Sequence, residues 1–170
     1  MIDAAEVGRI VFRPMELEDV EQVYAIDVLS FSLPWSGRSF RFEVAENPAS
    51  RPWVAEYRGV SGKQQVVGML VLWVVVDEAH VGTIAIHPDF RRQKIGQHLL
   101  ASALLDAFTV GVRRVFLEVR RSNLAAQAMY QKFGFEVDGA RLHYYVDNNE
   151  DALLMTLRNL SPESIQHLLE

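Results

Sequence analysis

A turn rich in basic residues is the first feature of this chain that points to chemistry. It lies between Ile84 and Gly96 and brings Arg91, Arg92 and Lys94 to the point where a strand gives way to a helix. The first turn of a helix carries unpaired backbone N–H groups and a partial positive charge, and a glycine lets an anion approach the backbone closely. The turn therefore predicts a diphosphate site. The alternative is a helix start that has collected solvated basic residues.

Signatures of several other chemistries are missing from the sequence. The turn contains neither the glycine and lysine spacing of a P-loop nor that of a dinucleotide fingerprint. The chain has no cysteine, so a cysteine nucleophile and thiolate metal ligands are excluded, and the composition fits a reducing compartment. No two of the five histidines form a spaced ligand motif, so we expect no metal site.

Composition and charge favour one ordinary domain, residues 1–170. Hydrophobic residues make up 49% of the chain and charged residues 23%, close to the average for folded proteins. The net charge of -5 argues against a nucleic-acid partner. The most apolar run, Val66–Val76, is too short to cross a bilayer, which needs about 20 residues, so we expect no membrane contact. Asp3 and Glu6 argue against a secretory signal, so we expect a cytoplasmic protein.

The elements that must position the basic turn alternate between strands and helices, which predicts an α/β domain with a core from about residue 10 to 158. Ser36 is the expected N-cap of the second helix, and Gly111 and Gly134 are expected to end the third and fourth. Val20, Val23 and Tyr24 are expected on one buried face of the first helix. The predicted strands cover about 9–13, 51–58, 64–76, 80–86, 113–120, 135–146 and 152–158; the predicted helices cover about 18–29, 36–47, 90–110, 123–133 and 161–170.

Arg91 to Gly96 resembles the cofactor loop of the GCN5-related N-acetyltransferases, whose pattern is Gln/Arg-x-x-Gly-x-Gly/Ala. Lys94 stands where that pattern has its first glycine, and we expect it to be helical. Further matches follow in order along the chain, and together they resemble the ribosomal-protein alanine N-acetyltransferases of RimI type. They are Phe31–Ser36, Leu117–Arg120, Asn123 with Ala126, Met129–Tyr130, Gly134–Phe135, Arg141–Tyr145 and Glu150–Ala152.

The resemblance implies a fold and an activity. The fold is a mixed, mostly antiparallel seven-stranded sheet flanked by helices, with a splay between the fourth and fifth strands. The activity is acetyl transfer from acetyl-CoA, releasing coenzyme A, to the N-terminal α-amino group of a protein, specifically the N-terminal alanine of a small ribosomal-subunit protein. A small-molecule amine or a lysine side chain is an alternative acceptor, and a non-catalytic acyl-CoA-binding module is an alternative function. A monomer or weak dimer is expected.

The resemblance assigns Glu118 as the proton acceptor. An α-amino group has a pKa of about 8 and must lose a proton before it attacks a thioester. Glu118 shares a strand face with Phe116, opposite Val115, Leu117 and Val119. Burial is expected to raise its pKa toward the working range. The alternative is an ion pair with Arg120 or Arg121.

Tyr130 is implied as the proton donor to the departing thiolate. The alternative is a core tyrosine, because Ala126, Met129, Tyr130 and Phe133 form an apolar stripe.

The remaining implied residues bind the two substrates. The pantetheine arm is expected beside the backbone of Ile84–Ile86, and Asn123 is expected to bond the cofactor or to cap the following helix. The acceptor groove is expected at Pro34–Trp35 and Tyr144–Tyr145, for which packing in a small core is the alternative. The full cofactor set is Ile84, Ala85, Ile86, Arg91, Arg92, Gln93, Lys94, Ile95, Gly96, Gln97, Asn123 and Tyr130; the acceptor set is Pro34, Trp35, Glu118, Tyr144 and Tyr145.

Overall fold

The protein was analysed as a computed structural model, which describes residues 8–170. Asp3 and Glu6, used above against a secretory signal, lie outside the described residues. The strands are β1 Arg9–Pro14, β2 Ser50–Arg58, β3 Gln64–Val75, β4 Glu78–Ile86, β5 Arg114–Arg120, β6 Glu136–Tyr145 and β7 Glu150–Leu157. The helices are α1 Val20–Ser30, α2 Gly37–Ala45, α3 Ile95–Thr109, α4 Leu124–Lys132 and α5 Pro162–Ile165, with short 3-10 turns at Leu17–Asp19, Pro88–Phe90 and Gln166–Leu169.

The strands form one sheet in the order β1-β2-β3-β4-β5-β7-β6. Every neighbouring pair is antiparallel except β4 and β5, which run parallel. Their pairing is confined to Glu78–Val81 of β4 and Arg114–Leu117 of β5. Beyond Val81 and Leu117 the two strands separate, which confirms the predicted splay between the fourth and fifth strands of a mostly antiparallel sheet.

A β-bulge lies at the point where the splay begins. Val71 pairs with Thr83 and the next residue, Leu72, pairs with Val81, so Gly82 is the extra residue on β4. A bulge bends its strand and increases the local twist, which turns the second half of β4 away from β5. The Trp73 ring covers Gly82 closely enough that a Cβ there would lie 2.7 Å from it.

Helices cover both faces of the sheet. The larger core packs α3, α4 and α5 against one face, and a smaller core packs α1 and α2 against the other. Strand β3 is central and its residues from Val66 to Leu72 are buried, which explains why its apolar run does not alternate. Ser36 caps α2 by accepting the N–H of Ser39 at 3.1 Å, as predicted.

Two predictions about the helices are wrong. The long helix begins at Ile95 rather than Phe90, because Pro88–Phe90 forms a 3-10 turn and the chain then passes through residues with positive φ. Tyr24 was expected on the buried face of α1 but is 41% exposed. Ile26 and Asp27 are buried with Val20 and Val23 instead.

Candidate active site

Glu118 lies at the mouth of the splay. It directly follows Leu117, the last residue of β5 that pairs with β4. Phe116 and Glu118 are half-buried on one face, while Val115, Leu117 and Val119 are buried on the other, as the alternation predicted. Because β4 no longer pairs with β5 at Glu118, the Glu118 carboxylate borders the gap between the two strands.

The Glu118 carboxylate is held by a histidine rather than by an arginine. His80 Nε2 lies 2.5 Å from Glu118 Oε2. The expected alternative pairing is not observed, because Arg120 bonds Asp147 and Arg121 pairs with Asp151. The expectation of a raised pKa is also wrong: the bond from His80 lowers the pKa of Glu118 and outweighs the opposing effect of burial.

A cleft of about 510 Å³ opens beside this pair on the face of the sheet that carries Trp73. Its floor is mainly apolar, formed by Trp73, Phe116 and Leu154, and Arg141 and Asp138 stand among its polar lining residues. An apolar cleft with a few convergent polar groups is the usual form of a binding site for a small or extended ligand.

Tyr130 is buried in the larger core, where its ring meets the Phe135 ring edge-on at 5.7 Å between centroids. Its helix neighbours Ala126 and Met129 pack against the same core, so the core role weighed for this tyrosine is present. Burial raises the pKa of Tyr130. The phenol therefore keeps its proton at neutral pH, which is the state that a proton donor requires.

Two residues of the basic turn adopt left-handed backbone conformations. Arg92 has φ of 62° and Lys94 has φ of 60°. The expectation of a helical Lys94 is therefore wrong, and its positive φ explains why a glycine suits this position, since glycine adopts such angles without strain. Lys94 is the N-cap of α3, and its carbonyl accepts the N–H of His98 at 3.0 Å.

The basic turn leaves cations and backbone donors available to an anion. Arg92, Gln93 and Lys94 are exposed. Ile95, Gly96 and Gln97 form the first turn of α3, whose N–H groups have no helical acceptor before them. A diphosphate would fit this end of the helix.

Arg91 and Gln97 have other partners for their side chains. Arg91 donates from Nε to the Ile86 carbonyl at 2.9 Å and from Nη2 to Ser30 Oγ at 3.2 Å, and so ties the turn to the end of β4. Gln97 is buried and donates from Nε2 to the Leu168 carbonyl at 2.8 Å. Gln97 therefore offers an anion its backbone N–H and not its amide.

Gly96 lies close to the end of β4 and to α4, the helix that carries Tyr130. A Cβ on Gly96 would lie 3.5 Å from Ile86 Cγ1 and 3.7 Å from Met129 Sδ, which are ordinary contact distances. An alanine would therefore fit, in agreement with the Gly/Ala alternative of the motif. Asn123 at the start of α4 accepts the Ala126 N–H at 3.2 Å, so the predicted capping role is confirmed.

The Pro34–Trp35 loop and the Tyr144–Tyr145 hairpin are joined by a hydrogen bond. Ser32, in the loop before α2, donates to the Asp147 carboxylate in the turn between β6 and β7. Asp147 also accepts from Arg120 at 2.8 Å, and the Arg120 guanidinium lies 3.9 Å from the centre of the Tyr145 ring. The loop and the hairpin are thereby joined to each other and to the end of β5.

Trp35 and the tyrosines differ in exposure. The Trp35 ring stacks on the Trp73 ring with 6.0 Å between ring centroids, so the alternative role of Trp35 in packing is present. The backbone N–H of Trp35 donates to Asp27 Oδ2 at 2.6 Å. Pro34 is exposed and Tyr144 is 43% exposed. Tyr145 is half-buried, and burial is the main cause that raises its pKa to about 12.

His80 is the residue of this site that the sequence analysis missed. It was weighed only as one of five histidines without a metal-ligand motif. The register of the parallel pair places it opposite Phe116, two residues before Glu118. The only signal in the sequence was the position of His80 on the strand next to that of Glu118. Whether the two side chains lie together on one face depends on the pairing register of β4 and β5, which the sequence does not give.

The family of the chain follows from comparison with known proteins. The model of the acetyltransferase (GNAT) family matches residues 20–135, which include the basic turn, Glu118 and Tyr130. The chain belongs to this family, and it is an acetyl-CoA-dependent N-acetyltransferase.

Curated relatives of the chain have names that specify an acceptor as well as the reaction. A putative [ribosomal protein bS18]-alanine N-acetyltransferase of Bacillus subtilis is 43% identical over 143 residues, covering 84% of this chain and 91% of the relative. The [ribosomal protein bS18]-alanine N-acetyltransferase of Escherichia coli K12 is 34% identical over 145 residues, covering 84% of this chain and 93% of the relative.

Solved structures agree with the fold. The crystal structure of the ribosomal-protein-S18-alanine N-acetyltransferase from Escherichia coli superposes with a TM-score of 0.79 at 29% identity, covering 90% of this chain and 96% of that one. A structure of Arabidopsis thaliana NAA60 in complex with acetyl-CoA superposes with a TM-score of 0.77 at 17% identity, covering 88% of this chain and 98% of that one; this likeness concerns the fold alone.

Proposed function

We propose that this chain transfers the acetyl group of acetyl-CoA to the α-amino group of an N-terminal alanine, that of ribosomal protein bS18. The observation that carries the proposal is the position of Glu118, a carboxylate at the mouth of the strand splay and beside an acceptor-sized cleft. The similarity to bS18-alanine N-acetyltransferases over more than four fifths of the chain supports the choice of acceptor.

In this proposal the basic turn binds the diphosphate of acetyl-CoA. The exposed Arg92 and Lys94 supply countercharge, and the first-turn N–H groups of Ile95, Gly96 and Gln97 supply hydrogen bonds. Arg91 acts on the turn itself by holding it to the Ile86 carbonyl. The pantetheine arm lies along Ile84–Ile86, where β4 has left β5 and its edge faces the gap.

Glu118 accepts the proton of the acceptor's α-ammonium group, so that the neutral amine attacks the thioester carbon. A positioned base of this kind contributes about 10² to 10⁴ in rate. Tyr130, protonated at neutral pH, donates a proton to the departing thiolate. Asn123 holds the start of α4 and thereby the position of Tyr130 two turns further on.

The acceptor peptide enters between the Pro34–Trp35 loop and the Tyr144–Tyr145 hairpin. Ser32 and Arg120 fix the two segments through Asp147, and we propose that the entrance between them is narrow. A narrow entrance favours a chain terminus over an internal lysine, and a small first residue over a large one.

A peptide panel tests the proposed acceptor. The panel consists of the first ten or so residues of bS18 with alanine, methionine or arginine first, of the alanine peptide with its N-terminus already acetylated and a lysine inside, and of spermidine as a polyamine. We expect turnover of the alanine peptide and a large loss of kcat/KM for the others. Preference for a polyamine or for the internal lysine would overturn the proposed acceptor, and binding of acetyl-CoA without turnover of any amine would favour a non-catalytic acyl-CoA-binding module.

We further propose that the chain acts as one domain spanning residues 1–170, as a monomer or weak dimer in the cytoplasm, without a nucleic-acid partner or membrane contact. Relatives named for a ribosomal protein support that compartment. Within residues 8–170, no helix has the length and apolar character needed to cross a membrane.

A further inference from the structure

The contact between His80 and Glu118 joins the two strands that form the splay. His80 lies on β4 and Glu118 on β5, 38 residues apart, and Nε2 of the imidazole lies 2.5 Å from Oε2 of the carboxylate. The His80 side chain is 39% exposed and that of Glu118 is 17% exposed, and both line the cleft. The pair is therefore accessible to an acceptor in that cleft.

The imidazole is held in place by its neighbours. Its ring meets the Trp73 ring edge-on, with 5.7 Å between centroids and 76° between planes. Trp73 is fixed in turn, because its indole N–H donates to Glu43 at 2.8 Å. His80 therefore keeps one ring nitrogen directed at one carboxylate oxygen, which leaves the other oxygen of Glu118 for an amine.

The charge state of the imidazole changes what Glu118 can do. A neutral imidazole that donates its N–H leaves one negative charge on the pair, and this charge can take a proton from an ammonium group. An imidazolium cancels that charge and occupies the carboxylate as an ion pair, in competition with the acceptor's ammonium. Imidazole is the side chain whose ordinary titration falls between about pH 5 and 8.

We propose that His80 is a positioning residue for Glu118 and that acetyl transfer requires its imidazole to be neutral. The proposal rests on the proposed role of Glu118 as the proton acceptor. Acetyl transfer proceeds when the neutral imidazole orients the carboxylate of Glu118. It stops when the imidazolium neutralises the charge of that carboxylate.

The other charged groups around the pair come from three elements. Glu78 lies on the same strand as His80 and is paired with Arg114 of β5 at 2.6 Å. Arg141 and Asp138 of β6 line the cleft, and the charge of Arg141 lowers the pKa of Glu118. Tyr145, also on β6, stays protonated at neutral pH because its pKa is raised to about 12.

Two substitutions of His80 separate positioning from mere packing. The amide nitrogen of His80→Gln reaches the place of imidazole Nε2 and can donate to Glu118 without titrating, whereas the shorter His80→Asn cannot reach it. With both substrates saturating, we expect His80→Gln to keep kcat at pH 8 within about threefold, and His80→Asn to lose tenfold or more. Near-ultraviolet circular dichroism checks that both variants are folded.

The pH profile of kcat is the deciding readout. From pH 8 to pH 6 the ratio of wild-type kcat to His80→Gln kcat is expected to fall, because only the wild type can form an imidazolium beside Glu118. The acceptor amine is the same in both reactions, so its own titration cancels in the ratio. A constant ratio across this range, with an active wild-type enzyme, would overturn the inference and leave the proposed function intact.

A second measurement does not depend on activity. In the free protein, proton NMR of the wild type is expected to show a low-field imidazole N–H resonance that is protected from exchange by the short bond to Glu118. The resonance should disappear in Glu118→Ala, which removes the acceptor, and in His80→Gln, which removes the imidazole. Its persistence in Glu118→Ala would show that the bond is not made to Glu118, and the inference would fail whatever the acceptor proves to be.

Discussion

Trp73 lies directly over Gly82, the extra residue of the β4 bulge, and leaves no room for a side chain there. A Cβ on Gly82 would come within 2.7 Å of Trp73 Cη2 and 2.9 Å of two further ring carbons. The same indole contacts His80 and bonds Glu43. One aromatic ring therefore fixes the bulge that opens the splay and the histidine that holds Glu118.

Gly82→Ala is expected to destabilise the fold, because the added methyl group forces Trp73 off its position. The free energy of unfolding should fall by about 1–3 kcal/mol, as for other overpacked sites. Gly37→Ala is the matched control, since a Cβ at Gly37 meets nothing within 4 Å. Urea denaturation of both variants measures the difference, and equal stability of the two would contradict this account of the bulge.

The order of the elements could be predicted from the sequence, because the residues that begin or end helices, Ser36, Gly111 and Gly134, act through local backbone contacts. The start of α3 could not, because the pattern from Phe90 onward continues the helical period while two positive φ angles interrupt the backbone. The exposure of Tyr24 could not be predicted either, because it depends on how α1 is rotated against the sheet.

At the site, the backbone face of Glu118 could be predicted but its electrostatics could not. Strand alternation placed the carboxylate correctly. Its partner lies 38 residues away on another strand, so the bond that lowers its pKa exists only once β4 and β5 are in register. Likewise, the bond of Gln97 to Leu168 requires the C-terminal tail to pack on α3.

The backbone conformation of Lys94 predicts which substitutions the turn accepts. Because φ is 60°, Lys94→Gly should keep or raise the free energy of unfolding. Lys94→Val should lower it by about 1–3 kcal/mol relative to the glycine variant, since a β-branched residue is strained at this angle. Thermal unfolding compares the two. A valine variant as stable as the glycine variant would show that this backbone angle is not required.

Arg92 is expected to bind acetyl-CoA without contributing to the chemical step. Arg92→Asn is the suitable variant, because asparagine tolerates positive φ and Arg92 has φ of 62°. The KM for acetyl-CoA should rise about three- to tenfold with kcat unchanged, as for loss of binding common to ground and transition states. Arg38→Asn, at an exposed position of α2, is the control. A lower kcat at an unchanged KM would exclude a pure binding role.

Asp27 predicts a pH dependence of stability. Its carboxylate is buried and burial raises its pKa above the ordinary value, although the Trp35 N–H opposes the shift. Over the range between the unfolded and folded pKa values, the folded state keeps a proton that the unfolded state has lost. The contribution of Asp27 to stability is therefore present at low pH and is lost as pH rises through that range.

Asp27→Asn removes this titration. The free energy of unfolding of the variant, relative to the wild type, should increase from acid to neutral pH. Asp89→Asn is the control, because the Asp89 side chain is 71% exposed. Denaturation at several pH values measures the trend; a difference that shrinks as pH rises would contradict a raised pKa at Asp27.

The most direct measurement compares Glu118→Gln with the wild type in two experiments on the same preparations. Calorimetric titration with acetyl-CoA should give a Kd within about twofold of the wild type, because the substituted side chain lies outside the basic turn. Single-turnover acetylation of the N-terminal alanine peptide should be slower by about 10²-fold or more, as expected for loss of a general base. Unchanged turnover in Glu118→Gln would contradict the account by removing this carboxylate from the reaction.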